Sequence, residues 1–287
     1  MSRLSEDQIS ALFLAACRAE LTALKPGNVH IHADGHDMQM AQFEASAAAA
    51  APWIAARDLN VGTRILRAVE ASFAAAGCNT NLGILLLCAP LAAAAESSLA
   101  GCLRARLRAV LASLDADDTT SVYAAIRRAN PGGLGDAPEQ DVAMPPSVGL
   151  LDAMALAADR DRIAHAYVDA FTDIFDFGLP MLEQARAAAE DDNLAVTTLH
   201  MAFLAQFPDS HIARKHGIDV AETIRTEASE HAPLWQPVAR RNSMKELLDF
   251  DAGLKSRRIN PGTTADFVVA TLFTASLCDA LSFASAS

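Results

Sequence analysis

The chain predicts an all-α fold, one compact multi-helix array over residues 1–287 with its site in the loops between helices. Three observations predict it. About a fifth of the residues are Ala, the strongest helix former, while aromatic residues make up only 6% and β-branched runs are short. Apolar residues recur at spacings of three and four along most of the chain. No hairpin signal, long alternating strand or repeat of fixed period is present in the sequence.

Ser5-Glu-Asp-Gln8 is a capping box, and Ile9, Leu12, Phe13, Ala16, Cys17, Leu21 and Leu24 follow at helical spacing until Pro26-Gly27 stops the helix. A histidine-rich loop, Asn28 to His36, leads into a second helix from Asp37–Met40 to about Arg57. Residues 61–76 and 82–100 read as two more helices, separated by Gly77–Asn81. Arg104–Leu114 and Ser121–Ala129 are amphipathic, with Asp115–Thr120 read as the turn between them. The stretch from Asn130 to Pro146 has low propensity for any regular element. Helices are then expected at about 148–158, 161–175, 178–190, 193–206, 217–230, 245–255 and 264–283, with breaks at Phe207–Ser210 and Asn260–Gly262.

The balance of 23 basic against 35 acidic side chains, −12 overall, argues against broad binding to nucleic acid or to an anionic membrane. Five widely spaced cysteines without a C-x-x-C pair read as those of a reduced, cytoplasmic protein. The stretch between Glu70 and Glu96 carries no charge and is long enough to span a bilayer, but Gly77-Cys-Asn-Thr-Asn81 lies inside it. Polar groups in hydrocarbon are unfavourable, so this segment reads as a buried helix–loop–helix and no membrane partner is expected. Ala-rich helices with small faces are compatible with a homodimer.

A helical enzyme builds its site from helix ends and loops, where free backbone N–H groups attract anions. The breaks rich in such chemistry are Lys25-Pro-Gly27-Asn28 with Gly35-His36-Asp37, Asn79-Thr80-Asn81, Gly132-Gly133-Leu-Gly135, Asp209-Ser-His with Arg214-Lys215, and Asn260-Pro-Gly262-Thr263-Thr264-Ala-Asp266.

Lys25-Pro-Gly27-x-Val29, then Gly35-His36-Asp37-Met38 with Phe43 and Ser46-Ala47, resembles the ATP:dephospho-CoA triphosphoribosyltransferase family. Members of that family are the triphosphoribosyl-dephospho-CoA synthases that make the prosthetic-group precursor of citrate lyase and malonate decarboxylase. The resemblance continues through Asn79-Thr80, Asp209 with its basic pair, and Asn260-Pro-Gly262-x-x-Ala265-Asp266-Phe-x-x-Ala-Thr-Leu-Phe273, so it covers nearly the whole chain. It implies an all-α fold. Where citrate-lyase-type members carry Asn-Thr-His-Lys-Gly, this chain has Asn79-Thr-Asn-Leu-Gly83. The loop Pro131–Gly135 and the stretch Phe207–His216 are closer to a branch from archaea and methylotrophic bacteria associated with tetrahydromethanopterin-linked one-carbon metabolism.

The reaction that the resemblance implies is attack by an acceptor hydroxyl on C1′ of ATP, with loss of adenine through an oxocarbenium-like state. The acceptor would be 3′-dephospho-CoA or, by the branch resemblance, a tetrahydromethanopterin precursor. Such a reaction needs a triphosphate clamp, a base and a dry pocket. Lys25, Arg214 and Lys215 supply countercharge, and Gly132, Gly133 and Gly135 supply backbone N–H groups. Gly27, Asn28, Asn79, Thr80, Asn260, Gly262, Thr263 and Thr264 suit ribose and base edges. Mg²⁺ is expected with the triphosphate, held by at least two of Glu20, Asp37, Asp209 and Asp266. Asp37, His36 or Asp209 is the expected proton acceptor.

Plainer readings compete. The three aspartates suit helix N-caps, worth about 1 kcal/mol each, and Arg214-Lys215 suits a solvated helix end. The adjacent His36-Asp37 also raises a metal-dependent helical phosphohydrolase of the His-Asp type, and a non-catalytic nucleotide-binding helical protein is the remaining alternative. The triphosphoribosyl reading requires the five breaks to converge around one magnesium-bound nucleotide.

Overall fold

A computed structural model describes residues 3–31, 40–130 and 144–286. Among them the regular elements are helical and no β-strand is present, as the composition requires. They fall into two compact units. The first unit comprises Met1–Ala15, Gln42–Thr172 and Phe273–Ser287, and the second Ala16–Ala41 and Asp173–Leu272.

The first unit draws on α1 (Glu6–Thr22), α2 (Met40–Ile54), α3 (Val61–Ala76), α4 (Leu82–Glu96), α5 (Leu103–Ala112), α6 (Ala116–Ala129), α7 (Leu150–Ala157) and α8 (Arg162–Asp169). The capping box at Ser5 forms as expected: Ser5 N–H donates to Gln8 Oε1 at 2.9 Å and Gln8 N–H to Ser5 Oγ at 3.2 Å. α4 has no polar stripe and is buried almost all round, which makes it the core helix of the unit. α3 and α6 meet backbone to backbone at Gly62, whose N–H donates to Asp118 Oδ1 at 2.7 Å. A Cβ on Gly62 would lie 2.4 Å from the Asp118 carbonyl oxygen, so only glycine permits that approach. The Arg64 guanidinium is buried on Glu96 and donates to the carbonyls of Leu59, Ile54 and Arg57, closing the α2–α3 connection.

Three helix boundaries differ from the sequence reading, each for a local reason. α4 stops at Glu96, with Ser97 in extended backbone, and does not continue to residue 100. The stretch Asp115–Thr120 is not a turn: Asp115 and Asp118 form a reciprocal capping box, and α6 starts at Ala116. The helix expected over 161–175 is interrupted after Asp169, where Ala170 and Phe171 take left-handed backbone and Phe171 turns into the core beside Tyr167.

The second unit takes in the end of α1, the start of α15 (Gly262–Ala286), a π-helical turn (Asp173–Gly178), α9 (Leu179–Ala188), α10 (Asp192–Gln206), α11 (Ser210–His216), α12 (Ile218–Glu230), α13 (Ala232–Trp235) and α14 (Met244–Ser256). α11 was given no range in the sequence reading, but Asp209 caps it as the N-cap reading of that residue expects, and Arg214 and Lys215 lie in its last turn. α10 is buried continuously from Leu194 to Leu204 and carries the core of this unit. α15 is long and apolar enough to cross a membrane by length and composition, yet 56% of its most apolar window is buried inside the protein, as in a core helix.

Pro90 inside α4 generates a prediction. Lacking an N–H, it leaves the Leu86 carbonyl four residues earlier without its helical donor. The buried Tyr167 hydroxyl supplies the bond instead, donating to Leu86 O at 2.7 Å. Tyr167→Phe is expected to destabilise the protein by about 1–3 kcal/mol in denaturant unfolding, the penalty for an unpaired buried carbonyl. Pro90→Ala in the same background is expected to recover much of that loss by restoring the helical donor. Equal losses with and without Pro90 would refute this coupling.

Candidate functional site

The second unit holds most of the residues singled out in the sequence, arranged around the turn that ends α1. Asn28 N–H donates to Lys25 O at 2.9 Å, and Gly27 has φ +86°, so Lys25–Asn28 is a type II turn with Pro and Gly in their favoured places. Two of its remaining backbone groups are engaged from outside. Gly27 N–H donates to Asp251 Oδ1 on α14 at 2.8 Å, and the Pro26 carbonyl lies 3.3 Å from His200 Nε2 on α10. A Cβ on Gly27 would sit 2.7 Å from Pro261 Cδ and 3.0 Å from Leu254 Cδ1, so the turn is packed as tightly as it is bonded.

Lys25 is wholly buried, with its ammonium on Glu20 and, at 3.3 Å, on Asn28 Oδ1. Burial pulls the lysine below its usual range and pushes Glu20 above its own, each shift opposed by the partner's charge. Asp266, at the start of α15, also acts electrostatically on Lys25. Asn28 Nδ2 reaches Asn260 Oδ1 at 2.9 Å, so the Lys25–Asn28 and Asn260–Gly262 motifs interlock through paired side-chain amides.

Asp209, distant from Asn260 in sequence, joins two helix starts through Ile212 and Thr264. Its Oδ1 accepts from Ile212 N–H at 3.0 Å, and its Oδ2 accepts from Thr264 N–H at 2.7 Å and Thr264 Oγ1 at 2.8 Å. Thr263 Oγ1 accepts from His211 N–H at 3.2 Å, and a Cβ on Gly262 would meet the His211 ring at 3.2 Å. Burial raises the Asp209 pKa, against the pull of Thr264, Ile212 and Arg214. Arg214 is half-buried within the field of Asp209, whereas Lys215 is exposed.

Asn79 and Thr80 belong to the first unit and build a different cluster. Asn79 Oδ1 accepts from Leu82 N–H at 3.2 Å at the head of α4, and Thr80 Oγ1 donates to Ser46 Oγ at 2.7 Å. Asn81 Nδ2 donates to Ser72 Oγ at 3.1 Å, and Ser72 Oγ to Ser46 O at 3.2 Å. His36 and Asp37, and Gly132, Gly133 and Gly135, lie outside the described residues.

Asp251, Lys255 and His200 were missed by the sequence reading. Lys255 Nζ lies 3.0 Å from Asp251 Oδ2 and 3.2 Å from His30 Nε2, and His30 Nε2 lies 3.3 Å from the same Asp251 oxygen. In sequence, Asp251 and Lys255 look like an ordinary i,i+4 surface pair on an amphipathic helix. The available signal for His200 is a lone imidazole within a long apolar helix.

The chain matches the ATP:dephospho-CoA triphosphoribosyl transferase (CitG) family over residues 6–284. It belongs to that family. A curated relative described as a probable 2-(5″-triphosphoribosyl)-3′-dephosphocoenzyme-A synthase, from Pectobacterium carotovorum subsp. carotovorum (strain PC1), is 28% identical over 101 residues. That stretch is 35% of this chain and about a third, 32%, of the relative's length. The crystal structure of a proposed triphosphoribosyl-dephospho-CoA synthase from Archaeoglobus fulgidus superimposes with a TM-score of 0.63 at 27% identity. The superposition covers 83% of this chain and 99% of that one.

The His200 environment sets a pH dependence. Burial pushes its pKa from 6.5 down to about 3, so the folded protein keeps a neutral imidazole where the unfolded chain takes up a proton. Between about pH 3 and 6.5 the unfolded state therefore binds more protons, and stability rises with pH across that window. Thermal melts are expected to fall as pH drops from 6.5 to 4, and His200→Gln is expected to flatten that fall. An unchanged slope in the variant would refute the assignment.

Proposed function

We propose that this chain transfers the 5-triphosphoribosyl group of ATP to an acceptor hydroxyl with release of adenine, working in the cytoplasm and as one functional domain over residues 1–287. The observation that carries the reading is the interlocking of two distant motifs, Lys25–Asn28 and Asn260–Gly262, through the Asn28–Asn260 bond. The family match over residues 6–284 supports it, as do the five free cysteines for a reducing compartment. The family name favours 3′-dephospho-CoA as acceptor.

On this reading Asn28, Asn260 and Thr263 present hydrogen-bonding groups to ribose and base edges, and Lys25 and Arg214 offset phosphate charge. Asp209, whose oxygens already accept three protein hydrogen bonds, holds the heads of α11 and α15 in place. The proton of the acceptor hydroxyl is assigned to His36 or Asp37.

Charge balance supports Mg²⁺ as a companion of the nucleotide. Lys25, Lys255 and Arg214 face Glu20, Asp209, Asp251 and Asp266, so the neighbourhood offers no excess of positive charge to a triphosphate. Among the described residues no three His, Cys, Asp or Glu side chains gather to hold an ion by themselves. Mg²⁺ usually binds through one or two carboxylates with substrate phosphates and water, and that donor set fits Glu20 and Asp266, with Asp37. When bound, the ion would neutralise phosphate charge and orient the triphosphate.

A second acceptor is favoured by one feature of the first unit. The loop at Asn79–Gly83 carries no cation, and Asn81 and Leu82 are buried in its place. That change leaves the acceptor open, and the likeness of Pro131–Gly135 and Phe207–His216 to the tetrahydromethanopterin-linked branch makes a tetrahydromethanopterin precursor the alternative acceptor. Incubation with ATP, Mg²⁺ and each acceptor in turn, followed by chromatography, is expected to show free adenine and a triphosphoribosylated product. Release of phosphate without adenine would instead support the phosphohydrolase reading, and nucleotide binding without product the non-catalytic one. Asn260→Ala is expected to lower kcat/KM for ATP roughly tenfold, the scale of one lost hydrogen bond. An unchanged kcat/KM would remove Asn260 from the site.

A further inference from the structure

Two backbone groups of the Lys25–Asn28 turn, the Gly27 N–H and the Pro26 carbonyl, are met by side chains from distant parts of the second unit, and of those two partners Asp251 stands out. It lies in the middle of α14, outside all the motifs that mark the family resemblance. It is buried, and each of its two oxygens has a separate task. Oδ1 accepts from Gly27 N–H at 2.8 Å, while Oδ2 faces Lys255 Nζ at 3.0 Å and His30 Nε2 at 3.3 Å.

We propose that Asp251 is a positioning residue for nucleotide binding, fixing the Lys25–Asn28 turn with one oxygen and fixing Lys255 and His30 with the other. The inference rests on the reading of that turn as part of the nucleotide site. The geometry explains why a carboxylate stands there. Gly27 stands at φ +86° with no room for a side chain beside Pro261 and Leu254, and an anionic acceptor makes a stronger bond to its N–H than a neutral one. A carboxylate also has the second oxygen needed to anchor the next two groups. Lys255 is one turn further along α14 and reaches the same oxygen, so the ammonium is held beside the imidazole by a shared anion.

The charged and titratable groups acting on His30 are Asp251 and Lys255 from α14, Lys25 from the turn and His200 from α10. Burial lowers the His30 pKa, Asp251 opposes that, and the two lysines reinforce it. Loss of the Asp251 charge must therefore lower the His30 titration further, and loss of the Lys255 charge must raise it.

The test compares Asp251→Asn, Asp251→Glu and Lys255→Met with the wild-type chain. ATP affinity is measured by calorimetry, KM and kcat by adenine release, folding by thermal melts, and His30 titration by NMR of protein labelled at histidine nitrogen. Asp251→Asn retains an acceptor for Gly27 N–H and removes the charge. It is expected to weaken ATP binding about tenfold, mainly in KM, with a lowered His30 titration and a lower melting temperature, since Lys255 loses its buried anion. Asp251→Glu is expected to return part of both effects, and Lys255→Met to move His30 in the opposite direction. A lower melting temperature with unchanged ATP affinity and unchanged His30 titration would overturn the proposal, leaving a purely structural role. If Asp251→Asn does not fold, the sign of the Lys255→Met shift decides: no upward movement of His30 overturns it. The NMR titration needs no substrate, so failure of the wild-type chain to release adenine counts against the transferase reading and not against this one.

Discussion

An ammonium group removed from water needs an anion, and in this molecule that requirement shapes the end of the first helix. Lys25 is wholly buried on Glu20, one of its neighbours on the same stretch of chain. Removing one partner of such a pair leaves an uncompensated charge, a loss of about 3–5 kcal/mol, so both side chains are held where they are. The turn that follows inherits that constraint. Pro26 and Gly27 close it, Asn28 returns an oxygen to the lysine, and the other side of the Asn28 amide finds Asn260. A single ion pair thus fixes the starting point from which the Asn260–Gly262 segment and the head of α15 are placed.

The two core helices show how an Ala-rich chain handles polar groups without much aromatic bulk. α4 and α10 are each buried on nearly all sides, and each leaves a polar loose end. In α4 the loose end is the Leu86 carbonyl, freed by Pro90 and satisfied by Tyr167. In α10 it is His200, whose Nε2 faces the Pro26 carbonyl and must therefore carry the proton. Its Nδ1 is then a buried acceptor without a partner among the described residues. A group in that state favours neutrality, in line with the strong downward pull of burial on its pKa.

Helix content and most helix positions were legible because periodicity and Ala propensity are local signals. α3 runs over the expected 61–76, and the capping box at Ser5 forms as read. The errors cluster where a side chain overrides a local tendency. Asp115 and Asp118 convert an apparent turn into a helix start, and burial of Phe171 forces a break that its neighbours do not announce. At the site, Lys25, Glu20, Asn28, Asn260, Asp209 and Thr264 were legible as types in a recognisable order. Asp251 and Lys255 were not, because their four-residue spacing describes an exposed helical pair equally well and only the fold puts them against a glycine and a histidine distant in sequence.

The partners of the motif residues bear on how the motif itself should be understood. Asp209 binds Ile212 and Thr264; Asn260 binds Asn28; Gly262 closes on His211. Several of the residues that define the resemblance therefore act on one another, tying helix starts together before any ligand arrives. Such residues affect chemistry through position, because a backbone displaced by an ångström carries its donors out of reach. A drop in activity on altering Asp209 or Asn260 accordingly contains two contributions, a lost contact to substrate and a loosened scaffold. Only a measurement of stability on the same variant separates them. Among the described motif residues, Lys215, exposed at the end of α11 and outside these bonds, is one for which the scaffold contribution is small and an effect on activity directly reports charge.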